Sequence, residues 1–361
     1  MKKRIILPLI CSVLLLLAAL CPASTLAMEK APFLGDLNGD LATTAADAAQ
    51  MLRGIAFAKI SEDSQPELDF TRNGQVDGVD ARAALLYACG GISDWVSFGE
   101  RVSSGLCDEK LFDRFSYTGT LDDGMGNYKS ENVSVRMISG RMENSNYHVA
   151  DIYVQDLSCF VTAFGGEKYR GRVHSVRDIF DTVEGGIIAM NGDFYSIHLL
   201  GPVVRNGTTY LDRVTKDWDI AVLQSDGVLI TYDHNTLTKD ALAAMNAYQT
   251  WVFGPALLDE NGQAKAEFQS RVQPENPRTA LGYYEPGHYA FITVDGRSGA
   301  SAGMTMTQLS QLCADLGMSR AYNMDGGQSS VLLARDGVLN VPFRDGRSVS
   351  DILAIRELPQ G

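Results

Sequence analysis

The sequence predicts an α+β molecule: a mixed, strand-rich domain with packed helices over residues 128–359, preceded by a small all-α module over residues 33–92. Three observations carry this. Apolar runs of strand length, several alternating with polar residues, recur from Asn132 to the C-terminus. One stretch among them, "TMTQLSQLCADLGM", has helical spacing instead. Near the N-terminus, two Asp-rich stretches of the same length each run into an apolar helical segment, which marks a duplication.

In chain order, the first 27 residues read as an export signal. Lys2, Lys3 and Arg4 precede the apolar run Ile5 to Leu20, and Thr25-Leu26-Ala27 offers a cleavage site. A retained anchor, or a lipoprotein with Cys21 as acceptor, are the rival readings, although Leu20 is large for a residue preceding a lipidated cysteine. No second long apolar run follows, so the expectation is a secreted protein with no membrane span after signal cleavage. Its net charge of −13 becomes −16 without the signal, 28 basic against 44 acidic residues, which disfavours a nucleic-acid partner. An anionic substrate then requires arginines concentrated in one place. Export permits disulfides, and Cys89, Cys107, Cys159 and Cys313 allow three connectivities, with Cys313 also readable as a buried thiol.

"DLNGDLATTAAD" starts at Asp36 and "DFTRNGQVDGVD" at Asp69. Both put oxygen-bearing side chains at loop positions 1, 3, 5 and 12: Asp36, Asn38, Asp40 and Asp47, then Asp69, Thr71, Asn73 and Asp80. That spacing wraps a short loop around a hard cation that takes oxygen ligands, and calcium is the expected cofactor. Gly74 provides the sharp turn in the second loop, whereas Leu41 holds that position in the first. The segment resembles a dockerin. The resemblance implies docking onto a cohesin-type scaffold domain in an extracellular or cell-surface bacterial complex. Residues 93–127 have no clear period and read as a linker or peripheral strands.

In the larger domain, "NVSVRMI" and "YHVADIYVQD" alternate as half-buried strands, and "VHSVRDIFDTVEG" reads as a helix leading into the buried strand "GIIAM". Hairpins are expected to turn at Asp226-Gly227, Pro286-Gly287 and Asp336-Gly337. Thr305 and Gln308 form a capping box for the clearest helix, and Gly317 ends it. The five histidines show no ligand spacing.

Four motifs place polar residues at the end of an apolar strand: "NGDFY" (191–195), "NPRTALGY" (276–283), "TVDGRS" (293–298) and "NMDGGQSS" (323–330); "RSVSDILAI" (347–355) opens the last strand. Each alone is an ordinary turn. Together, and in this order, they resemble the phosphodiester glycosidase family. The resemblance implies hydrolysis of the bond between a sugar's anomeric carbon and a phosphodiester oxygen, with an N-acetylglucosamine-1-phosphodiester-like substrate. It is carried by Asn191, Gly192, Asp193, Arg278, Thr279, Asp295, Gly296, Arg297, Asn323, Asp325, Gly326, Gly327, Ser329, Ser330 and Arg347. Gln328 stands where a third glycine often does.

The chemistry suits these residue types. A phosphate monoester leaves as a weak base, so positive charge matters more than a strong acid; Arg278, Arg297 and Arg347 are candidates for it. An oxocarbenium-like transition state calls for a carboxylate, from Asp193 or Asp325, with the choice open. Asn191 and Asn323 suit sugar hydroxyls, and Gly192, Thr279, Asp295, Gly326, Gly327 and Ser329 complete the expected cradle. Two alternatives stay open: a non-catalytic glycan-binding module, and a cell-envelope remodelling protein of the same fold.

Overall fold

The computed structural model describes residues 37, 44–57, 68, 76–89, 106–116, 120–198, 201–270 and 272–358. The chain divides into two compact units, residues 1–98 and 99–361.

In the first unit, helices α1 (Ala45–Ala56) and α2 (Gly78–Ala88) pack on one another. They start alike. Thr44 and Asp77 are N-caps, and Asp47 and Asp80, three residues on, return their carboxylates to the cap backbone in reciprocal capping boxes. Both acids are fully buried. Asp47 also accepts the backbone N–H of Leu37 at 2.9 Å, tying the helix to a residue ten positions earlier. Asp36, Asn38, Asp40, Asp69, Thr71 and Asn73 lie outside the described residues.

The second unit is a mixed α+β domain, rich in strands and poor in helix, and every strand pairing described is antiparallel. One sheet of seven strands runs β1 (Leu121–Asp122), β2 (Tyr128–Lys129), β3 (Val133–Met142), β4 (Ser145–Val154), β13 (His288–Val294), β12 (Arg278–Glu285), β14 (Arg320–Asn323). A second, of four, runs β15 (Leu332–Ala334), β6 (Gly186–Asn191), β16 (Asp351–Arg356), β5 (Phe160–Phe164). Between β6 and β12 come the hairpin β7 (Val203–Arg205)–β8 (Thr208–Leu211) and a three-stranded sheet of β9 (Ile220–Gln224), β10 (Leu229–Tyr232) and β11 (Ala247–Trp251).

The main core lies between the sheets, where Ile152, Phe160, Ile188, Trp251, Leu281, Phe291, Tyr322 and Leu353 meet. The opposite face of the seven-stranded sheet is covered by α6 (Met306–Asp315), through Met306, Leu309, Leu312 and Cys313. The opposite face of the four-stranded sheet is covered by α3 (Val176–Phe180), through Val176, Ile179 and Phe180. Two short helices, α4 (Tyr195–His198) and α5 (Lys239–Ala244), complete the described helices of this unit. No described helix is long and apolar enough to cross a membrane.

Local chemistry accounts for most of these elements. The capping box of α6 forms as its sequence implies, and Gly317 follows with a left-handed φ of 78°. The β9–β10 and β12–β13 turns form around Gly227 and Gly287, both at positive φ. At Asp336-Gly337 the chain turns, but its second arm keeps only a bridge from Val338 to Leu333. β4 departs from the half-buried expectation: from Val149 onward it is buried on both faces, because it sits mid-sheet between two cores. The helix expected over "VHSVRDIFDTVEG" is only five residues long, capped by Ser175, before the chain turns into β6.

The stretch expected as linker or peripheral strands supplies β1 and also a 3-10 turn, Glu109–Arg114. Around that turn Cys107, Leu111 and Phe115 pack on Tyr153. The four cysteines among the described residues, Cys89, Cys107, Cys159 and Cys313, are free thiols, and the last three are buried. Burial pushes Cys107 and Cys313 up to about 12, so both are inert at neutral pH.

Candidate functional site

Antiparallel pairing brings alternate strand ends to one edge of the two stacked sheets. The C-terminal ends of β6, β13 and β14 and the N-terminal ends of β12 and β16 all arrive there, as the pairs Arg278↔Val294, Ala280↔Asn323 and Asn191↔Ile352 require. The five motifs singled out from the sequence therefore gather in one place.

Asn191 fastens the sheets together. Its amide donates to the Asp325 carbonyl at 2.7 Å, and its Oδ1 accepts the Thr279 hydroxyl at 2.9 Å and the Val331 N–H at 3.3 Å. The side chain expected to meet sugar hydroxyls is spent on the scaffold. Asn323 differs: its amide donates to the Gly254 carbonyl at 2.7 Å, while its buried Oδ1 has no protein partner.

Asp193 lies in a closed network. Its Oδ1 accepts the Tyr195 N–H at 3.1 Å and Arg205 Nη2 at 3.0 Å, and its Oδ2 accepts the Val252 N–H at 2.9 Å. Arg205 also donates through Nε to Asp351 at 2.9 Å and through Nη1 to the carbonyls of Val204 and Thr250. All three charged groups are buried. Burial works against the Arg205 charge, but the two flanking carboxylates outweigh it and hold its pKa above the ordinary value. Burial pushes Asp351 up to about 7, opposed by Arg205 and reinforced by Asp193. Gly192 fits because a Cβ there would meet Asp351 Oδ1 at 2.1 Å.

Asp325 sits at the mouth of the same edge. Its Oδ2 accepts the Ser329 hydroxyl and Arg347 Nη2, both at 2.6 Å, and Arg347 Nε donates to Ser329 Oγ at 2.6 Å. The Arg347 side chain is 40% exposed and lies 4.8 Å over the Phe194 ring. Phe194 has φ 61°, a strained value for an aromatic residue.

Arg278 is buried and has no carboxylate within 4.0 Å among the described residues. Backbone carbonyls hold it instead: Met304 at 2.8 Å, Gln273 at 3.3 Å and Pro274. Burial lowers its pKa to about 10, with the like charge of Arg297 adding to the shift. Arg297, at φ 57°, is exposed, donates twice to Asn276 Oδ1 at 3.0 and 2.6 Å, and stacks 5.1 Å from the Phe343 ring centre. The loop Asp325–Ser330 passes between the two sides. Gly327 takes φ 65°, its N–H donates to the Pro277 carbonyl at 2.8 Å, and a Cβ on it would come within 3.4 Å of Arg297 Nη2.

Asp295 faces another way: it pairs with His148 at 3.1 Å and accepts the Val341 N–H at 2.8 Å, and His148 Nδ1 meets Ser139 Oγ at 3.0 Å. The residues singled out from the sequence for this domain thus lie at one sheet edge with unlike partners. Those the sequence reading passed over are Arg205, Asp351, Phe194, His148, Phe343 and Arg344. Asp351 stood inside a quoted motif, and an arginine closing the apolar run "GPVVRNG" was the available signal for Arg205.

An antiparallel two-sheet α+β domain with arginines and a buried carboxylate at one edge is the class that the fold and site define. Residues 184–356 match the sequence model of the phosphodiester glycosidase family, and that span holds all five motifs. Across 183 residues the chain is 28% identical to the SPbeta prophage-derived uncharacterized protein YomE of Bacillus subtilis, covering 47% of this chain and 28% of that protein's length. The fold is similar to the zebrafish N-acetylglucosamine-1-phosphodiester alpha-N-acetylglucosaminidase catalytic domain auto-inhibited by its pro-peptide. That similarity has a TM-score of 0.51 at 18% identity and covers 63% of this chain and 83% of that one.

Proposed function

We propose that the second unit is a hydrolase of sugar-1-phosphodiesters, cleaving the bond between the anomeric carbon and the phosphodiester oxygen. The observation that carries this reading is Arg278, a buried cation beside the cation Arg297, with backbone carbonyls but, among the described residues, no carboxylate around it. A buried guanidinium beside a second, exposed one and without an acid is costly, and the pair suits an incoming phosphodiester anion and the doubly charged monoester that leaves. The family match supports the same chemistry.

In this reading Arg278 and Arg297 hold the phosphate. As the glycosidic C–O bond breaks, its electron pair goes to the phosphate oxygen, which departs as a monoester needing little protonation. Water forms the new C–O bond and gives up a proton. Asp325, oriented by Ser329 and Arg347, faces the developing positive charge and takes that proton. Asp325 is preferred over Asp193, whose two oxygens already accept three hydrogen bonds in a sealed interior. The substrate expected is N-acetylglucosamine-1-phosphodiester-like. Assays of sugar release across N-acetylglucosamine, glucose and mannose 1-phosphodiesters test this. Release from at least one is expected, and release from none overturns it.

The first unit is read as a calcium-binding, cohesin-docking module of a secreted protein. The matched burial of Asp47 and Asp80 at the start of α1 and α2 supports this, since each ends a loop of the same register. Those two acids, with Asp36, Asn38, Asp40, Asp69, Thr71 and Asn73, would hold the ions, which would neutralise the loops. Calorimetric titration of the full chain is expected to show calcium binding, and its absence would remove this part of the reading.

A further inference from the structure

We propose that Phe343 and Arg344 form a second anion subsite beside the cleavage site, so that the substrate carries another phosphate beyond the scissile phosphodiester. This rests on the reading of Arg278 and Arg297 as the primary phosphate holders.

The guanidinium carbons of Arg297 and Arg344 lie 5.1 and 5.0 Å from the Phe343 ring centre. One aromatic ring thus contacts two like charges. Both residues have left-handed backbones, φ 57° and 52°, and Asp345 follows at 59°. Such conformations cost free energy in non-glycine residues and concentrate where a side chain must be aimed. Arg344 is exposed, and among the described residues neither arginine has a carboxylate within 4.0 Å. Asp345 is adjacent in sequence but forms no ion pair with either. In a chain of net charge −13, acids are plentiful, yet among the described residues none forms an ion pair with Arg297 or Arg344.

Continuity with the primary site follows from the loop geometry. Gly327 borders Arg297, and Gln328 donates to the carbonyl of Gly346 at 2.9 Å, tying the Asp325–Ser330 loop to the turn that carries Phe343 and Arg344. Cations therefore run from buried Arg278, through Arg297, to exposed Arg344. A lone phosphate needs only the inner part. An additional phosphate on the same molecule gives the outer part a role, and selects substrates with successive phosphodiesters over simple sugar-1-phosphodiesters.

The test compares binding of inorganic pyrophosphate and orthophosphate by calorimetry, using the full chain at fixed salt. The wild type is expected to favour pyrophosphate by about tenfold or more, the scale of one good charge-assisted contact. Arg344→Gln should remove that preference while leaving orthophosphate binding unchanged, and Asp345→Asn should increase it. Arg344 is exposed, so melting curves of these variants should match the wild type. Equal affinity for the two anions, or a preference that survives Arg344→Gln, overturns the subsite. Sugar release from simple substrates reports separately on the underlying reaction. A preference lost in Arg344→Gln without release from any sugar-1-phosphodiester would sink the reaction and leave the subsite standing.

Discussion

Two groups of charged side chains at the same sheet edge are built on opposite terms. Around Arg205, two buried carboxylates and two backbone carbonyls surround one cation. Around Arg278, the partners are carbonyls and a second cation. The first group pairs its cation on both sides, with Asp351 Oδ1 the one carboxylate oxygen left without a hydrogen bond among the described residues, and it holds the strand ends and the Asn191–Asp193 turn together. The second has a surplus of positive charge that an anionic ligand would complete. Where a buried network closes, its residues hold the structure together; where it leaves charge uncompensated, a ligand is expected.

That contrast breaks most visibly in stability. Arg205→Met leaves Asp193 and Asp351 facing each other without a cation, and should cost about 3–5 kcal/mol in denaturant unfolding. Adding Asp193→Asn and Asp351→Asn to it should recover part of the loss, because neutral amides carry no buried charge. A loss below about 1 kcal/mol in the single variant would show that the network does not bear on folding.

A smaller effect sharpens the same side of the comparison. Asp351 holds its proton more tightly in the folded chain, at about 7, than the ordinary carboxyl does at 3.8. Its contribution to stability is therefore fully present below pH about 4 and is lost as pH rises through about 7. Relative to Asp351→Asn, the wild type should lose stability across that window. Parallel unfolding curves for the two proteins from pH 4 to 7 would contradict the shift.

Much of this edge was legible in the sequence, because each motif is a local break in a strand pattern. "NGDFY", "TVDGRS" and "NMDGGQSS" announce strand ends, and antiparallel pairing takes them to one place. The α6 capping box and the turn at Gly287 are equally local. What could not be read is long-range. Arg205 finds Asp351 across 146 positions, and that pairing turns Asp193 from an open carboxylate into a closed one. Asn191 ends a buried strand and Asp325 follows one, in similar sequence contexts, yet one clasps two sheets and the other meets Arg347. The two cores that cover both faces of β4 left no trace in its own alternation. The cation–ring stack on Phe343 likewise joins residues from separate loops that no spacing rule connects.

The central claim is that Asp325 serves the chemistry while Asp193 serves the scaffold. The most direct test is turnover per folded molecule and melting temperature for Asp325→Asn and Asp193→Asn, on the best substrate of the 1-phosphodiester panel. Asp325→Asn should lower turnover about a hundredfold or more with little change in melting, the scale seen when a positioned acid–base or electrostatic group is removed. Asp193→Asn should lower the melting temperature and leave turnover per folded molecule close to wild type. The reverse pattern, with turnover lost in Asp193→Asn and kept in Asp325→Asn, would contradict the account.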